Sequence, residues 1–399
     1  MLTGKIISAV SKSAFFKTPV VNNYLRIAFN IENVRHIYSK TTLGIDTFLQ
    51  QCEITRKQME NVGDKFKQKM SEIDVKEGKQ MVFTEDLKNM IHLTSDEKDL
   101  ELVIRMIKKF NKQNKELRFG SFIFGPVVMR LFHHQNKPDL ALECFKSDEL
   151  SGFFDQMITY QILLDLLFEN KQYQQLLDCV EFIKEKQLEG MRYPRNVVVL
   201  ALAACYKMNS KESLDYALKL WQELKDVGHF PMRRATTFCA ALAYNQGNPG
   251  IALEILTSAK NQNYTTVRNL KAACLAAVGR VENAISLMKS ILSDDTPGNH
   301  KHTFNRDVLD KIKEAVAGLE NPELSLEFNR IEQLLMKQGH ISDMGIDVQL
   351  CAEIQPPAMI TEKRQNKFQP RFRKTDYKQR SFTQKKYPYQ QRPGLDELV

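Results

Sequence analysis

Residues 217–231, which read ALKLWQELKDVGHFP, decide the fold. Ala217, Trp221 and Leu224 are spaced by four and then three residues, so their side chains share one face of a helix. The only tryptophan of the chain lies within that face, and packing in a core is its expected role. The stretch therefore predicts a helix with one apolar face that neighbouring helices must cover.

The same spacing recurs along the chain at intervals of 35, 41, 35 and 32 residues. The residues that begin each unit, called anchors here, are Ala141, Leu176, Ala217, Ala252 and Ala284, and the larger apolar residues four positions later are Phe145, Val180, Trp221, Leu256 and Met288. Another apolar helix precedes each anchored helix. A hairpin of this length cannot bury its apolar face alone, so the pattern predicts an all-α, right-handed solenoid of stacked helical hairpins.

Three segments of this array resemble pentatricopeptide repeats. Ile158–Leu163 (ITYQIL) is similar to the opening of such a repeat, and Ile183–Leu188 (IKEKQL) is similar to its close. Residues 221–231 are similar to the family's ending, with Gly and Pro spaced as they are there. The Trp-Leu-Gly signature of tetratricopeptide repeats is missing. The resemblance covers residues 120–292 and implies a helical-repeat protein that binds single-stranded RNA.

In that family, side chains at two positions of a repeat read one RNA base, and one of these positions lies early in the first helix. The resemblance places it fifteen residues before the anchor, at Gln161, Thr237 and Asn269. Asn196 takes the same place if the six extra residues of the third unit all lie in its internal turn. Pro126 in the first unit cannot serve. The alternative is that these residues are ordinary polar residues at the start of a helix.

The positive charge of the chain is concentrated at its two ends. The 399 residues carry a formal net charge of +9; residues 1–40 contribute +5 and residues 361–393 contribute +9, whereas the body from 41 to 360 has a net charge of −3. The chain has only 17 Gly and 13 Pro, which favours long helices over a many-stranded barrel. The longest charge-free apolar stretch, 197–206, is about half the roughly 20 residues that a membrane-spanning helix needs, so we expect no membrane span.

The first 38 residues are typical of a mitochondrial presequence, because they are basic, almost free of acids and have apolar residues at helical spacing. We therefore expect import into the mitochondrial matrix. A disordered basic N-terminus without a targeting role is the alternative. The rest of the chain is predicted to form an N-terminal helical cap at 39–118, about five repeats at 119–292, a C-terminal helical cap at 293–345 and a disordered tail at 346–399.

Basic and aromatic residues alternate in the tail without helical or strand periodicity, so we expect the free segment to be disordered. Lys and Arg neutralise phosphates, and aromatic rings stack on unpaired bases. This composition predicts binding to single-stranded RNA or to an RNA-rich body such as a ribosome; a membrane-surface segment and a solubilising tail are the alternatives. The candidate RNA-binding residues of the tail are Lys363, Arg364, Lys367, Phe368, Arg371, Phe372, Arg373, Lys374, Tyr377, Lys378, Arg380 and Phe382.

No catalytic constellation is recognisable in the sequence. It contains no Gly-rich phosphate loop, no GxSxG motif and no HExxH motif, so we expect no enzyme activity and no cofactor. The seven cysteines have no CxxC spacing and lie mostly in apolar helical patterns, which predicts buried thiols and no metal site. His133 and His134 are adjacent on a helix and point about 100° apart, which makes them a poor chelate.

Together these features predict a mitochondrial RNA-binding protein. With the presequence and the tail, the resemblance implies a role in the maturation, processing or stabilisation of mitochondrial transcripts, and thereby in respiratory chain function. RNA-processing enzymes or the ribosome are the further partners expected. The alternative function is a helical-repeat scaffold that binds proteins at the mitochondrial ribosome.

Overall fold

The computed structural model describes residues 37–75, 81–117, 122–187, 190–293 and 303–354. These residues are almost entirely helical. The helices are α1 Lys40–Leu43, α2 Ile45–Gln58, α3 Gly63–Val75, α4 Thr84–Leu93, α5 Glu97–Leu117, α6 Gly125–His134, α7 Pro138–Lys146, α8 Met157–Glu169, α9 Tyr173–Lys186, α10 Arg195–Met208, α11 Lys211–Asp226, α12 Arg233–Asn245, α13 Pro249–Thr257, α14 Thr265–Ala277, α15 Val281–Ser293, α16 Arg306–Gly318, α17 Pro322–Gln338 and α18 Ile346–Leu350.

Helices α6 to α17 form six consecutive hairpins. The first helix of each hairpin packs against the first helix of the next, from α6 through α8, α10, α12 and α14 to α16. The described residues between 122 and 293 contain no strand. The predicted all-α solenoid of helical hairpins is therefore confirmed. Within the segment expected to be a C-terminal cap, α16 and α17 form the sixth hairpin and continue the stack.

The anchor residues form the seam of this stack. All five are 0% exposed, and Trp221, four residues after one of them, is 4% exposed, which confirms its expected core position. An alanine at the anchor leaves room for the neighbouring helix to approach, while the larger residue one turn later fills the gap between hairpins. The sixth hairpin has the same kind of face, formed by Phe328, Ile331 and Leu335 of α17.

Each hairpin turn contains one residue in the left-handed region of backbone space. These residues are Asn136, Lys171, Asn209, Gly247, Gly279 and Glu320. In the fifth hairpin, Gly279 has a φ of 83°, and the next amide, of Arg280, donates to the Leu275 carbonyl at 2.9 Å. The left-handed residue thus ends the first helix and lets the chain reverse within a few residues.

Helices α1 to α5 pack at the N-terminal end of the stack. Helices α2 and α4 contact α6, the first helix of the first hairpin. Arg130 of α6 donates from Nε to the Leu43 carbonyl at 2.8 Å, which ties the end of α1 to the array. Gly44 follows in a left-handed conformation, and a Cβ there would lie 3.0 Å from the Arg130 guanidinium.

Two short segments outside the hairpins are extended. β1 (Phe304–Asn305) and β2 (Ile341–Ser342) pair in parallel, with Phe304 opposite Ile341. Tyr38 and Ile354 form a second parallel bridge, in which the Ile354 amide donates to the Ile37 carbonyl at 2.7 Å. Residues near the two ends of the described chain therefore meet.

The seven cysteines are all buried and unpaired, as the apolar patterns predict. Burial raises the pKa of the thiols of Cys144, Cys179, Cys205, Cys239 and Cys274 to about 12. Such thiols remain protonated and act as small apolar side chains. Among the described helices, none is both long and apolar enough to cross a membrane.

Candidate nucleic-acid interface

The four residues predicted to read bases all lie in the first helices of hairpins. Gln161, Thr237 and Asn269 are each the fifth residue of α8, α12 and α14, whereas Asn196 is the second residue of α10. Three are buried, with exposures of 5% for Gln161, 1% for Thr237 and 0% for Asn269, and Asn196 is half-buried.

The offset of Asn196 corrects the assumption about the third unit. Its turn between α10 and α11 consists of only Asn209 and Ser210, and the extra length lies in the helices, of 14 and 16 residues. A first helix can absorb an added residue only by shifting the register of its faces. The residue of α10 at the fifth position is Val199, which is 0% exposed.

Gln161 and Asn196 are nevertheless neighbours. Asn196 Nδ2 donates to Gln161 Oε1 at 2.7 Å, and the Tyr38 hydroxyl donates to Asn196 Oδ1 at 3.3 Å. Burial raises the pKa of Tyr38, so its hydroxyl keeps its proton and remains a donor. This chain of bonds joins two adjacent repeats to the segment that precedes α1.

Asn269 holds the start of the sixth hairpin against α14. Its Nδ2 donates to the carbonyls of Thr265 at 2.9 Å and Thr303 at 3.1 Å, and its Oδ1 accepts from the Asn305 amide at 2.8 Å. Thr237 is engaged within its own helix, where its hydroxyl donates to the Arg234 carbonyl at 3.0 Å. In this conformation the polar groups of these side chains are directed to the protein itself.

The residues around the first helices come from the two ends of the described chain. Helix α1 contacts α8, and α18 contacts α12 and α14. Asp347 of α18 accepts from the Tyr206 hydroxyl at 3.0 Å and from Lys207 at 3.1 Å, both residues of α10. Residues 37–39 and 346–354, called the end clasp below, therefore lie on the layer that carries the predicted reading positions. That Gln161, Asn196, Thr237 and Asn269 read bases stays a prediction.

Comparisons with known proteins agree with the repeats. No protein-family profile matches the chain. It is 29% identical over 274 residues, 68% of this chain and 70% of the relative, to pentatricopeptide repeat-containing protein 2, mitochondrial, of Xenopus laevis. The proteins of the same name from Mus musculus and Homo sapiens are 28% and 29% identical over 272 residues, 68% of this chain and 70% and 69% of theirs. The chain is a relative of these proteins.

A solved structure of the repeat family is also similar. The crystal structure of the pentatricopeptide repeat protein PPR10 from maize has a TM-score of 0.38 and 15% sequence identity, over 84% of this chain and 46% of the maize chain. A superposition at that score carries no argument about the site.

The predicted RNA-binding residues of the tail, from Lys363 to Phe382, lie outside the described residues, as does most of the presequence. The pentatricopeptide-like array itself contains two polar groupings that sequence reasoning missed. The first is a buried cluster between adjacent repeats, and the second is a basic cleft between repeat ends.

The buried cluster joins α6 to α8. His133 Nε2 lies 3.2 Å from Asp165 Oδ2 and 3.7 Å from Glu169 Oε2, and the ligand-type atoms of the three residues lie within 4.8 Å of one another, a spacing that a metal ion also permits. Burial raises the pKa of Asp165 to about 6, and the bond from His133 opposes that shift. The neighbour of His133 in sequence hid this pairing, because the partners of His133 come from the next repeat.

The basic cleft has a volume of about 500 Å³ and lies where the second helices of two repeats end and the next first helices begin. Arg195, Arg233 and Lys260 line it together with Phe230. The signal that could have found it is a shortage of acids. Between residues 227 and 281 the chain has six Lys or Arg and a single acid, Glu254.

Proposed function

We propose that this chain is an RNA-binding protein of the mitochondrial matrix that acts in the maturation, processing or stabilisation of mitochondrial transcripts. Through those transcripts it supports respiratory chain function. The match over two thirds of the chain to mitochondrial pentatricopeptide repeat proteins is the observation that carries the proposal.

Two further features support RNA as the ligand. The repeats stack into an array that offers one polar position per hairpin, and the tail combines eleven basic residues with six aromatic residues between 361 and 393. The described residues present exposed cations on the repeats as well, at Arg195, Arg233 and Lys260. Polyanion attraction and base stacking are therefore both available.

Crosslinking in intact mitochondria, followed by sequencing of the RNA bound to the full chain, tests this function. We expect enrichment of a small set of mitochondrial transcripts, and accumulation of their unprocessed or shortened forms when the protein is depleted. Recovery of RNA in proportion to its abundance alone, with no change in any transcript on depletion, contradicts the proposal. A reporter fused to residues 1–40 that remains in the cytosol contradicts the mitochondrial part.

A protein-binding scaffold at the mitochondrial ribosome is the second candidate, favoured by the burial of the four repeat positions within the chain. Sedimentation distinguishes the two. A scaffold remains with ribosomal proteins after complete RNase digestion, whereas an RNA-binding protein is released.

A further inference from the structure

Charge is unevenly distributed over the repeats. The body from 41 to 360 has a net charge of −3, yet residues 227–281 alone contribute +5. The single acid of that stretch, Glu254, is paired with Lys225, with 3.2 Å between Nζ and Oε1. A local excess of this size on an otherwise acidic body creates a field that attracts anions to one part of the surface.

The cations of this region converge on the basic cleft because equivalent positions of successive repeats carry them. Arg195 is the first residue of α10 and Arg233 is the first residue of α12. Lys260 lies in the loop that leads to α14. No side chain caps the N-terminus of α10, α12 or α14, so the dipoles of these helices add positive potential at the same edge.

The three cations have no acid to neutralise them. All three are exposed, none of them forms an ion pair with the described residues, and no Asp or Glu lines the cleft. Their contacts are with aromatic rings instead: the Arg233 guanidinium lies 3.3 Å from the centre of the Tyr264 ring, and Lys260 Nζ lies 5.0 Å from the centre of the Phe230 ring. These contacts hold the cations in place while leaving their hydrogens free for an anionic ligand.

Phe230 is exposed to an unusual degree. Its side chain is 72% exposed, although the chain buries most of its large apolar residues. The ring is held between the end of α11 and Pro231, before α12 begins. A rigidly placed aromatic ring that faces solvent beside cations suits stacking on an unpaired base.

We propose that the basic cleft binds single-stranded RNA, with Arg195, Arg233 and Lys260 on phosphates and Phe230 stacked on an unpaired base. The site rests on the proposed RNA-binding function and specifies where on the repeats the RNA lies. It is separate from the buried reading positions, so RNA can occupy it without displacing the end clasp. An acidic peptide would use the cations but would leave the exposed ring without a matching partner.

The first experiment compares two charge-matched triple variants of the full chain. Arg195→Gln, Arg233→Gln and Lys260→Gln are combined in one, and Arg56→Gln, Arg330→Gln and Lys219→Gln, which are exposed elsewhere on the molecule, in the other. Binding of a labelled mixed-sequence 20-nucleotide RNA is measured from 50 to 500 mM salt. For three phosphate contacts at a slope of about −0.7 each, the cleft variant should lose about 2 from the salt slope and bind roughly 50-fold more weakly at 150 mM.

The second experiment separates stacking from charge. Phe230→Ala should weaken binding by roughly 5- to 150-fold with little change in the salt slope, because stacking is lost while every phosphate contact remains. Phe230→Tyr keeps an aromatic ring and should bind like the wild type. Because Phe230 is exposed, neither substitution disturbs the core.

The outcomes distinguish failure of the site from failure of the function. If the wild-type chain binds no RNA, the proposed function itself is wrong. If the wild type binds RNA and the cleft variant matches the control variant in affinity and slope, RNA lies elsewhere and the cleft proposal is overturned. If Phe230→Ala binds like the wild type and polyglutamate displaces RNA through the same cations, the cleft is a site for acidic peptides and the proposal is again overturned.

Discussion

Replacing Asn269 with alanine tests whether this side chain reads RNA or holds two repeats together. The residue is 0% exposed, and its bonds to the Thr303 carbonyl and the Asn305 amide reach 34 and 36 residues along the chain. Asn305 is also 0% exposed, so water cannot replace the lost partner without opening the structure. A buried polar group without a partner costs about 1–3 kcal/mol. Two such groups should lower the free energy of unfolding by about 2–5 kcal/mol.

Urea unfolding of the full chain, followed by far-UV circular dichroism, measures this loss. Asn283→Ala is the matched control, because Asn283 is exposed in the following helix, and we expect its effect to stay within about 0.5 kcal/mol. The same proteins are assayed for preference among RNA sequences. If Asn269→Ala unfolds at the wild-type urea midpoint but loses preference among RNA sequences, Asn269 reads a base and its assignment as a structural clamp is refuted.

Three further predictions concern the turns, the buried cluster and the tail. Gly279 has a φ of 83° with no atom within 4 Å of an added Cβ, so Gly279→Ala should cost about 1–2 kcal/mol of stability through the backbone alone, whereas Lys171→Gly, at the same turn position, should raise the urea midpoint; equal midpoints would contradict this. Because burial raises the pKa of Asp165, the native state binds this proton more tightly than the unfolded chain does, so stability should fall as the pH rises from about 4 to about 6. Asp165→Asn should remove that fall in urea midpoints measured at pH 5 and pH 7.5, and an unchanged pH dependence would contradict it. Deleting residues 361–399 should weaken binding to all RNA sequences alike and flatten the salt dependence, since each phosphate neutralised on a single strand contributes about −0.7 to the slope; an unchanged slope would show that the tail makes no phosphate contacts.

The hairpins could be predicted from the sequence because their determinants are local. The spacing of Ala217, Trp221 and Leu224 fixes one helix face, and the recurrence of that face fixes the stacking. The sixth hairpin was harder to recognise as a repeat, since its first helix follows the two-residue strand β1 and its second helix begins with no alanine anchor. Phe328 and Ile331 still form an apolar face there, and both are buried.

The surroundings of the candidate site could not be predicted in the same way. Counting from the anchors places Gln161, Thr237 and Asn269 at one equivalent position of their helices, which is what the structure shows. Their burial depends on partners far along the chain, such as Tyr38, which lies 158 residues from Asn196. No local periodicity encodes such a contact, because it depends on where the two chain ends lie in the folded protein.

The arrangement of charge and burial separates two properties of RNA binding. The exposed cations of the basic cleft and the tail are indifferent to base order, because phosphates are the same in every sequence. Selection among bases at Gln161 or Asn196 requires their amides to leave the bonds that join them to each other and to Tyr38. If both proposals hold, attraction precedes selection, and selection occurs only for RNA whose contacts repay the opening of the end clasp. Tyr38→Phe, which removes only the hydroxyl bond at 3.3 Å, should then leave the salt slope unchanged and sharpen or relax base preference alone. A change in slope with no change in preference would place the selective contacts somewhere other than beneath the clasp.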